Sequence, residues 1–190
     1  MQIYEIPIYF IIFLLGIVIG SFLNVCIYRL PKHENFTTVR SHCMNCGSVL
    51  RWYELIPVVS YLIQKGRCRN CGVKLSVQYP VIELLNGILY VWIAFLTGFS
   101  DRTILYCILA SVLLVIAVID LRTYEIPAGC NVVIGLLGIF QIVFDLPHGW
   151  EYVIGFFAVS IFLWLIYICS GGRAIGGGDI RLMAAAGLLL

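Results

Sequence analysis

The sequence predicts an all-α polytopic membrane protein, with about six transmembrane helices and a small cytoplasmic insert, on three observations. Of its 190 residues, 62% are hydrophobic, and only 12% are charged, against roughly a quarter in soluble domains. Apolar runs long enough to span a bilayer recur along the chain. Most basic residues fall in one block. So few charges could not cover the apolar surface of a water-soluble fold, which excludes that class.

Six apolar runs are predicted to be helices that cross a membrane, since about 18 or more such residues are long enough. The first run has no basic segment before it and no small-residue cleavage pattern after it, so we interpret it as a permanent helix rather than a signal peptide. We find no internal repeat. The predicted spans cover about residues 6–28, 80–97, 103–121, 129–146, 152–170 and 179–190.

Charge asymmetry between the loops predicts the orientation, because cytoplasmic loops carry the excess of Lys and Arg. Eight of the twelve basic residues lie between Arg29 and Lys74. With the N-terminus outside, eleven of the twelve face the cytoplasm, and Arg102 alone lies outside. We therefore predict three regions. They are a first transmembrane helix over 1–29, a cytoplasmic insert over 30–78 and a transmembrane domain over 79–190.

The predicted insert contains two Cys-x-x-Cys pairs separated by 21 residues. Four thiolates at this spacing satisfy a tetrahedral zinc ion, and a glycine follows each pair, where the turn commonly needs a positive φ. Two disulfides or free thiols are the alternatives, which a reducing cytoplasm disfavours. A closed site of this kind is structural by default and would stabilise an insert too short to bury much core. The cysteines are Cys43, Cys46, Cys68 and Cys71.

Two aspartates lie at the ends of predicted spans. Asp120 ends the third span, and Asp179 opens the sixth, directly after the glycines at 176–178. The predicted orientation puts both at the cytoplasmic edge, so two carboxylates share one membrane depth. An acid in such a place is costly and is a functional candidate. The structural alternatives are that Asp179 favours the positive end of its helix and that Asp120 forms an ion pair with Arg122 or Arg181.

A pair of adjacent carboxylates is suited to the hydrolysis of a peptide bond. Two carboxylates about 3 Å apart cannot both ionise, so one of them holds a proton. The ionised group takes a proton from water, which attacks the scissile carbonyl, and the protonated group donates to the carbonyl oxygen and then to the leaving amide. Gly176, Gly177 and Gly178 would let an extended substrate backbone approach closely. The alternative is a flexible turn.

Five blocks of this sequence resemble the bacterial type IV prepilin peptidases, which are membrane aspartic proteases of the GxGD class. The blocks follow the order of the family and together extend over nearly all of the chain. They are Gly20–Pro31, the paired cysteine insert with Trp52–Pro57 between its halves, Tyr79–Leu85, Ile119-Asp120 with Ile126-Pro127, and Gly176–Leu182. Two departures are Ala128, where the family often has Asp or Asn, and Arg181, where it usually has Lys.

The resemblance implies removal of the leader of type IV prepilins or type II secretion pseudopilins, on the cytoplasmic face of the bacterial inner membrane. It implies that Asp120 and Asp179 are catalytic and that the four cysteines bind zinc. Many members also N-methylate the new N-terminus with S-adenosylmethionine, an activity associated with the glycine that Gly66 matches. No nucleic-acid partner is expected. Members typically continue with further helices, so the resemblance implies that this chain is truncated from a larger bundle.

Two other functions compete with this one. A non-enzymatic membrane scaffold of a pilus or secretion assembly would dock through the zinc insert. A pure N-methyltransferase would have lost proteolysis, and the retained Asp120 and Asp179 argue against it.

Overall fold

The computed structural model describes residues 5–34, 40–173 and 175–189. The parts of the predicted regions at 1–4, 35–39, 174 and 190 lie outside these described residues. Within them the chain forms seven α-helices and no β-strand, which confirms the all-α class. The helices are α1 (Ile6–Arg29), α2 (Val59–Ile63), α3 (Gln78–Thr97), α4 (Asp101–Thr123), α5 (Ala128–Phe144), α6 (Gly149–Cys169) and α7 (Gly177–Gly187).

Four of these helices are long and apolar enough to cross a membrane, so the chain is a multi-pass membrane protein. They are α1 with the turn after it, α3, α4, and α6 with the turn before it. Helix α5 is apolar but has 17 residues, and α7 has 11, whereas a span needs about 20. The helix bounds follow the predicted runs closely, but the count of six spans stays a prediction.

The chain divides into two compact units, one up to Val115 and one from Ile116 onward. The division falls inside α4, whose first part belongs to the first unit and whose last part belongs to the second. The first unit also contains α1, α2, α3 and the segment from Cys43 to Cys71 that carries the four clustered cysteines, called the cysteine segment below. The second unit contains α5, α6 and α7. The bounds of these units differ from those of the three predicted regions, which stay a prediction.

In the first unit α1 packs directly on α3 through two glycines spaced four residues apart. A Cβ atom on Gly16 would lie 2.7 Å from the Cα atom of Gly87, and one on Gly20 would lie 2.7 Å from the Cα atom of Glu83. Any side chain at these two positions would therefore push the helices apart. Small residues at this spacing are the usual means of close helix packing in membranes.

Buried polar side chains add hydrogen bonds to this packing. The Asn86 side chain, which is fully buried, donates to the Gly16 carbonyl oxygen at 2.8 Å. The Ser111 hydroxyl of α4 donates to the Asn86 oxygen at 3.0 Å, and the Tyr90 hydroxyl lies 3.0 Å from that of Ser111. Such groups are costly in an apolar environment unless they are paired, so this network helps to fix one arrangement of α1, α3 and the first part of α4.

In the second unit α7 packs against α5 and α6. A Cβ atom on Gly155 of α6 would lie 2.6 Å from the Gly187 carbonyl oxygen, and one on Gly187 would lie 2.6 Å from that of Gly155. Leu188, just after α7, lies against Gly138 of α5. These contacts hold α7 in place through its C-terminal end. The first turn of α7, at its other end, carries residues of the candidate site.

Candidate metal centre and aspartate site

The four cysteines predicted to bind zinc lie together. Their sulfur atoms are all within 4.8 Å of one another, and the sulfur atoms of Cys43 and Cys71 are 3.8 Å apart. A tetrahedral zinc site with zinc–sulfur distances of about 2.3 Å has edges of about 3.8 Å. The donor set and its spacing therefore fit a zinc ion, and the cluster is able to bind a metal.

Each Cys-x-x-Cys pair is built by the same backbone turn. The N–H of the first cysteine donates to a carbonyl oxygen five residues on, and the N–H of the glycine donates back to the carbonyl oxygen of the first cysteine. Both glycines have the positive φ that the sequence predicted, 69° and 70°. The bonds are Cys43 to Ser48 at 2.9 Å, Gly47 to Cys43 at 2.9 Å, Cys68 to Val73 at 2.8 Å and Gly72 to Cys68 at 2.9 Å.

The two turns form an internal repeat, so the expectation of no repeat was wrong. Residues 41–50 and 66–75 share the pattern Cys-x-Asn-Cys-Gly-x-x-Leu. Isolated β-bridges join His42 to Val49 and Arg67 to Lys74 at equivalent places. The repeat is only ten residues long and its outer positions differ, so composition does not reveal it. An alignment of the chain with itself, offset by 25 residues, would have found it.

Local hydrogen bonds favour the thiolate form that binds a metal. The Ser48 hydroxyl, 3.1 Å from the Cys46 sulfur, lowers the pKa of Cys46 to about 6. Backbone N–H groups of Cys71 and Asn70 lower the pKa of Cys68. A thiolate rather than a thiol is the metal ligand, so these bonds favour the ligand form of Cys46 and Cys68, whereas desolvation and the nearby thiols of Cys68 and Cys46 raise the pKa of Cys43.

Gly66, which the resemblance associates with methylation, lies at the start of the second turn. Its φ is +65°, and a Cβ atom there would lie 2.8 Å from the Tyr61 hydroxyl oxygen. Its N–H also donates to the Tyr61 carbonyl oxygen at 2.9 Å. A glycine at this position is therefore required by backbone conformation and by space, whatever its part in methylation.

Asp120 and Asp179 both lie in the second unit, at helix ends, and both are exposed. Asp120 is in the last turn of α4, and its carbonyl oxygen accepts from the Tyr124 N–H at 2.9 Å. Asp179 is in the first turn of α7, where its carboxylate accepts from the Gly176 N–H at 3.1 Å. The structural alternative for Asp179 is thus partly realised, because this carboxylate bonds to the backbone at the start of its helix.

The segment after Asp120 meets the glycines before Asp179. A Cβ atom on Gly178 would lie 3.4 Å from the Cβ atom of Ile126, an ordinary packing distance. Ile126 follows Asp120 by six residues, and Gly178 directly precedes Asp179. This contact joins the two stretches of chain that carry the aspartates.

The three glycines before Asp179 are not explained by backbone conformation. Gly176 has a φ of −75° and a ψ of 149°, which other residues adopt freely. Gly177 and Gly178 lie in α7 without a positive φ. A Cβ atom on Gly177 would meet no atom within 4 Å, so the space beside it is open. The fold does not require a glycine at 177, and open space there suits the close approach of another chain.

Glu83 is a buried acidic residue that the sequence analysis gave no role, although it lies within the resembling block Tyr79–Leu85. Its side chain is 6% exposed. One carboxylate oxygen accepts from the N–H of Val58 at 2.7 Å. Val58 has a φ of 59°, a conformation that costs a β-branched residue about 1–3 kcal/mol. The sequence signal that could have pointed to Glu83 is a single acidic residue within an apolar stretch.

The fold and the cysteine cluster together define a helical multi-pass membrane protein with four clustered cysteines, able to hold a metal ion, between its first two long helices. Residues 14–97 match the family described as the bacterial peptidase A24 N-terminal domain. Residues 107–190 match the type IV leader peptidase family. The chain belongs to this peptidase family.

Curated relatives agree with this assignment. A Myxococcus xanthus (strain DK1622) protein is 35% identical over 94% of this chain and 55% of its own length. A Klebsiella pneumoniae protein is 35% identical over 94% of this chain and 83% of its own length. A Bacillus subtilis (strain 168) protein is 32% identical over 95% of this chain and 73% of its own length. All three are named prepilin leader peptidase/N-methyltransferase. The chain thus spans about half the length of the Myxococcus relative, and no solved structure matches it.

Proposed function

We propose that this protein is a membrane aspartic endopeptidase that removes the leader of type IV prepilins or pseudopilins. The observation that carries the proposal is the contact between Ile126 and Gly178. It joins the two stretches of chain that carry the exposed aspartates, beside a glycine with open space around it. The names of the relatives support the same activity and its companion, N-methylation of the new N-terminus. They do not favour the non-enzymatic scaffold.

The chemistry follows from two carboxylates that share a proton. Of Asp120 and Asp179, the ionised one takes a proton from water, and the resulting hydroxide attacks the scissile carbonyl carbon. The protonated one donates to the carbonyl oxygen, and the proton then passes to the leaving amide nitrogen as the C–N bond breaks. The pKa values of such a dyad belong to the pair rather than to either residue. Gly176, Gly177 and Gly178 would leave room for the extended substrate backbone.

The order of the helices supports a common membrane depth for the two aspartates. Two helices, α5 and α6, separate the end of α4 from the start of α7. If each crosses the membrane once, both ends face the same side, and the excess of basic residues supports the cytoplasm as that side. Six crossings, an outside N-terminus and the bacterial inner membrane belong to this proposal. The 17 residues of α5 are at the short limit for a span.

The cysteine segment would have a structural role in this enzyme. Cys43, Cys46, Cys68 and Cys71 would hold a zinc ion, which would cross-link the two halves of a segment that has little core of its own. S-adenosylmethionine would supply the methyl group for the second reaction. We assign that reaction to the same insert because Gly66 is the residue that the resemblance associates with it.

Leader removal tests the proposal directly. Membranes that contain the full-length protein are incubated with a prepilin, and the rate of cleavage is compared for the wild type, Asp120→Ala and Asp179→Ala. We expect each substitution to abolish detectable cleavage, because neither carboxylate can do both proton transfers alone. Glu151→Gln is the matched control. Glu151 is an exposed acid in the first turn of α6, on the side of the membrane predicted to be outside, and its loss leaves the rate unchanged. Cleavage that survives either aspartate substitution contradicts the mechanism.

A further inference from the structure

We propose that Glu83 is a positioning residue that fixes the cysteine segment to α1 and α3, and that its loss lowers N-methylation far more than leader removal. The inference rests on the proposed function, because its test measures leader removal and N-methylation. Its structural basis is a buried carboxylate on a membrane helix that accepts a hydrogen bond from a strained turn outside that helix.

The contact joins two parts of the chain that lie far apart in sequence. Glu83 lies in the second turn of α3, and the Cα atom of Gly20 of α1 packs against its backbone. Val58 directly precedes α2 and donates to the Glu83 carboxylate at 2.7 Å. Because the backbone of Glu83 packs against Gly20 and its carboxylate accepts from Val58, Glu83 contacts α1 and the insert at once. It therefore holds three segments in one arrangement.

The position of α2 affects that of Gly66, because a residue of α2 contacts Gly66 directly. Helix α2 runs from Val59 to Ile63, and Tyr61 within it contacts Gly66 through both its ring and its carbonyl oxygen. Gly66 in turn accepts from the Leu75 N–H at 2.8 Å, which closes the second cysteine turn. A displacement of the Val58 turn would thus move Tyr61, Gly66 and that turn together.

Charge and strain both indicate that this bond is specific. A carboxylate is expensive to bury unless it is paired, and a hydrogen bond to a charged acceptor is stronger than one to a neutral acceptor. Val58 keeps a φ of 59° although it is β-branched. Strained backbone of this kind persists where the surroundings over-determine it. In this conformation the N–H of Val58 donates to the Glu83 carboxylate.

The test compares two reactions in the same membranes. For the wild type, Glu83→Leu and Glu83→Gln, the kcat and KM of leader removal and of N-methylation are measured with full-length protein and a prepilin. We expect Glu83→Leu to lower methylation at least tenfold and to change cleavage less than threefold, because Asp120 and Asp179 lie in the other unit. Glu83→Gln retains an oxygen that accepts from Val58 and restores most of the methylation. An equal loss of both reactions, or a Gln variant as poor as the Leu variant, overturns the proposal.

Glu54 offers a matched control. Its carboxylate also accepts a backbone N–H, that of Arg51, at 2.8 Å, but this bond lies wholly within the insert. Glu54→Leu should leave the ratio of the two activities unchanged. If it lowers methylation as much as Glu83→Leu does, the effect is a general loosening of the insert, and the positioning role is wrong.

Hydrogen exchange tests the anchoring without any activity. We expect Glu83→Leu to speed amide exchange across residues 56–66 about tenfold or more while the bound zinc is retained, because the loss of one charged hydrogen bond frees the turn. Unchanged exchange overturns the proposal. A wild type that neither cleaves nor methylates would instead refute the proposed function, and the exchange measurement would still decide whether Glu83 anchors the insert.

Discussion

The cysteine segment and the aspartate region are built in different ways, although both are predicted from short motifs. In the segment, four ligands converge within 4.8 Å because two identical backbone turns aim them at one point. In the aspartate region, both carboxylates are exposed at helix ends, and the chain stretches that carry them meet at Ile126 and Gly178. The cysteine cluster is thus specified by local turns, whereas the pairing of the two aspartates depends on how whole helices are arranged.

The largest effect, a complete loss of bound zinc, is expected from removing two of the predicted metal ligands. Replacing Cys43 and Cys46 with serine removes one complete turn of the repeat and half of the donor set. Bound zinc, measured by mass spectrometry of the intact protein, should fall from one ion per chain to none, because two thiolates do not satisfy the tetrahedral site. Cys169→Ser is the control, since Cys169 is an exposed residue at the end of α6. Full retention of zinc in the double variant would refute the four-cysteine assignment.

A smaller effect, and one on activity alone, is expected at the glycines before Asp179. Gly177→Ala places a methyl group in open space, so the fold should tolerate it, and alanine favours the helix. The leader should nevertheless be removed about tenfold more slowly, because a displacement of about 1 Å in the substrate can cost up to a hundredfold. Gly135→Ala in α5 is the control, since a Cβ atom there also meets nothing within 4 Å. Equal cleavage rates for the two variants would show that the glycine run is only a turn.

The smallest effect concerns two glycines of the second cysteine turn, Gly66 and Gly72, which both have a positive φ. Gly72 has a φ of +70° and open space around it, whereas Gly66 has a φ of +65° and contacts Tyr61. Gly72→Ala should lower the free energy of unfolding of the insert by about 1 kcal/mol through backbone strain alone. Gly66→Ala should cost about 1 kcal/mol more, because the tyrosine must move. The measurement is chemical denaturation followed by the fluorescence of Trp52, in a background where the other three tryptophans are replaced by phenylalanine. Equal values for the two variants would show that Tyr61 adds no cost.

Local features of the molecule were predictable from the sequence, and contacts between distant residues were not. The runs that became α1, α3, α4, α5 and α6 are long and apolar, so composition alone locates them. The four cysteines share one turn type, so their convergence follows from spacing. The bond between Glu83 and Val58 joins residues 25 positions apart. It depends on a positive φ at a valine, which no propensity favours.

Gly66 is a second case in which a contact with another residue could not be predicted from the sequence. A glycine before a cysteine turn suggests a positive φ, and the structure has one. Its second reason, the hydroxyl oxygen of Tyr61 at 2.8 Å from an added Cβ atom, appears only once α2 is folded. The site role of Asp120 and Asp179 stays a prediction for a related reason. Helix ends are visible in the sequence, whereas the distance between two carboxylates depends on the packing of the helices that carry them.

The most direct test of the central claim is whether Asp120 and Asp179 act as one catalytic unit. Rates of leader removal are measured for Asp120→Asn, Asp179→Asn and the double variant, each in membranes at equal protein content. Residues that act as a unit are strongly non-additive, so losing both should cost about as much as losing either one. We therefore expect both single variants to be nearly inactive and the double variant to be no worse. Single variants that retain partial activity, with losses that multiply in the double variant, would contradict a shared-proton pair.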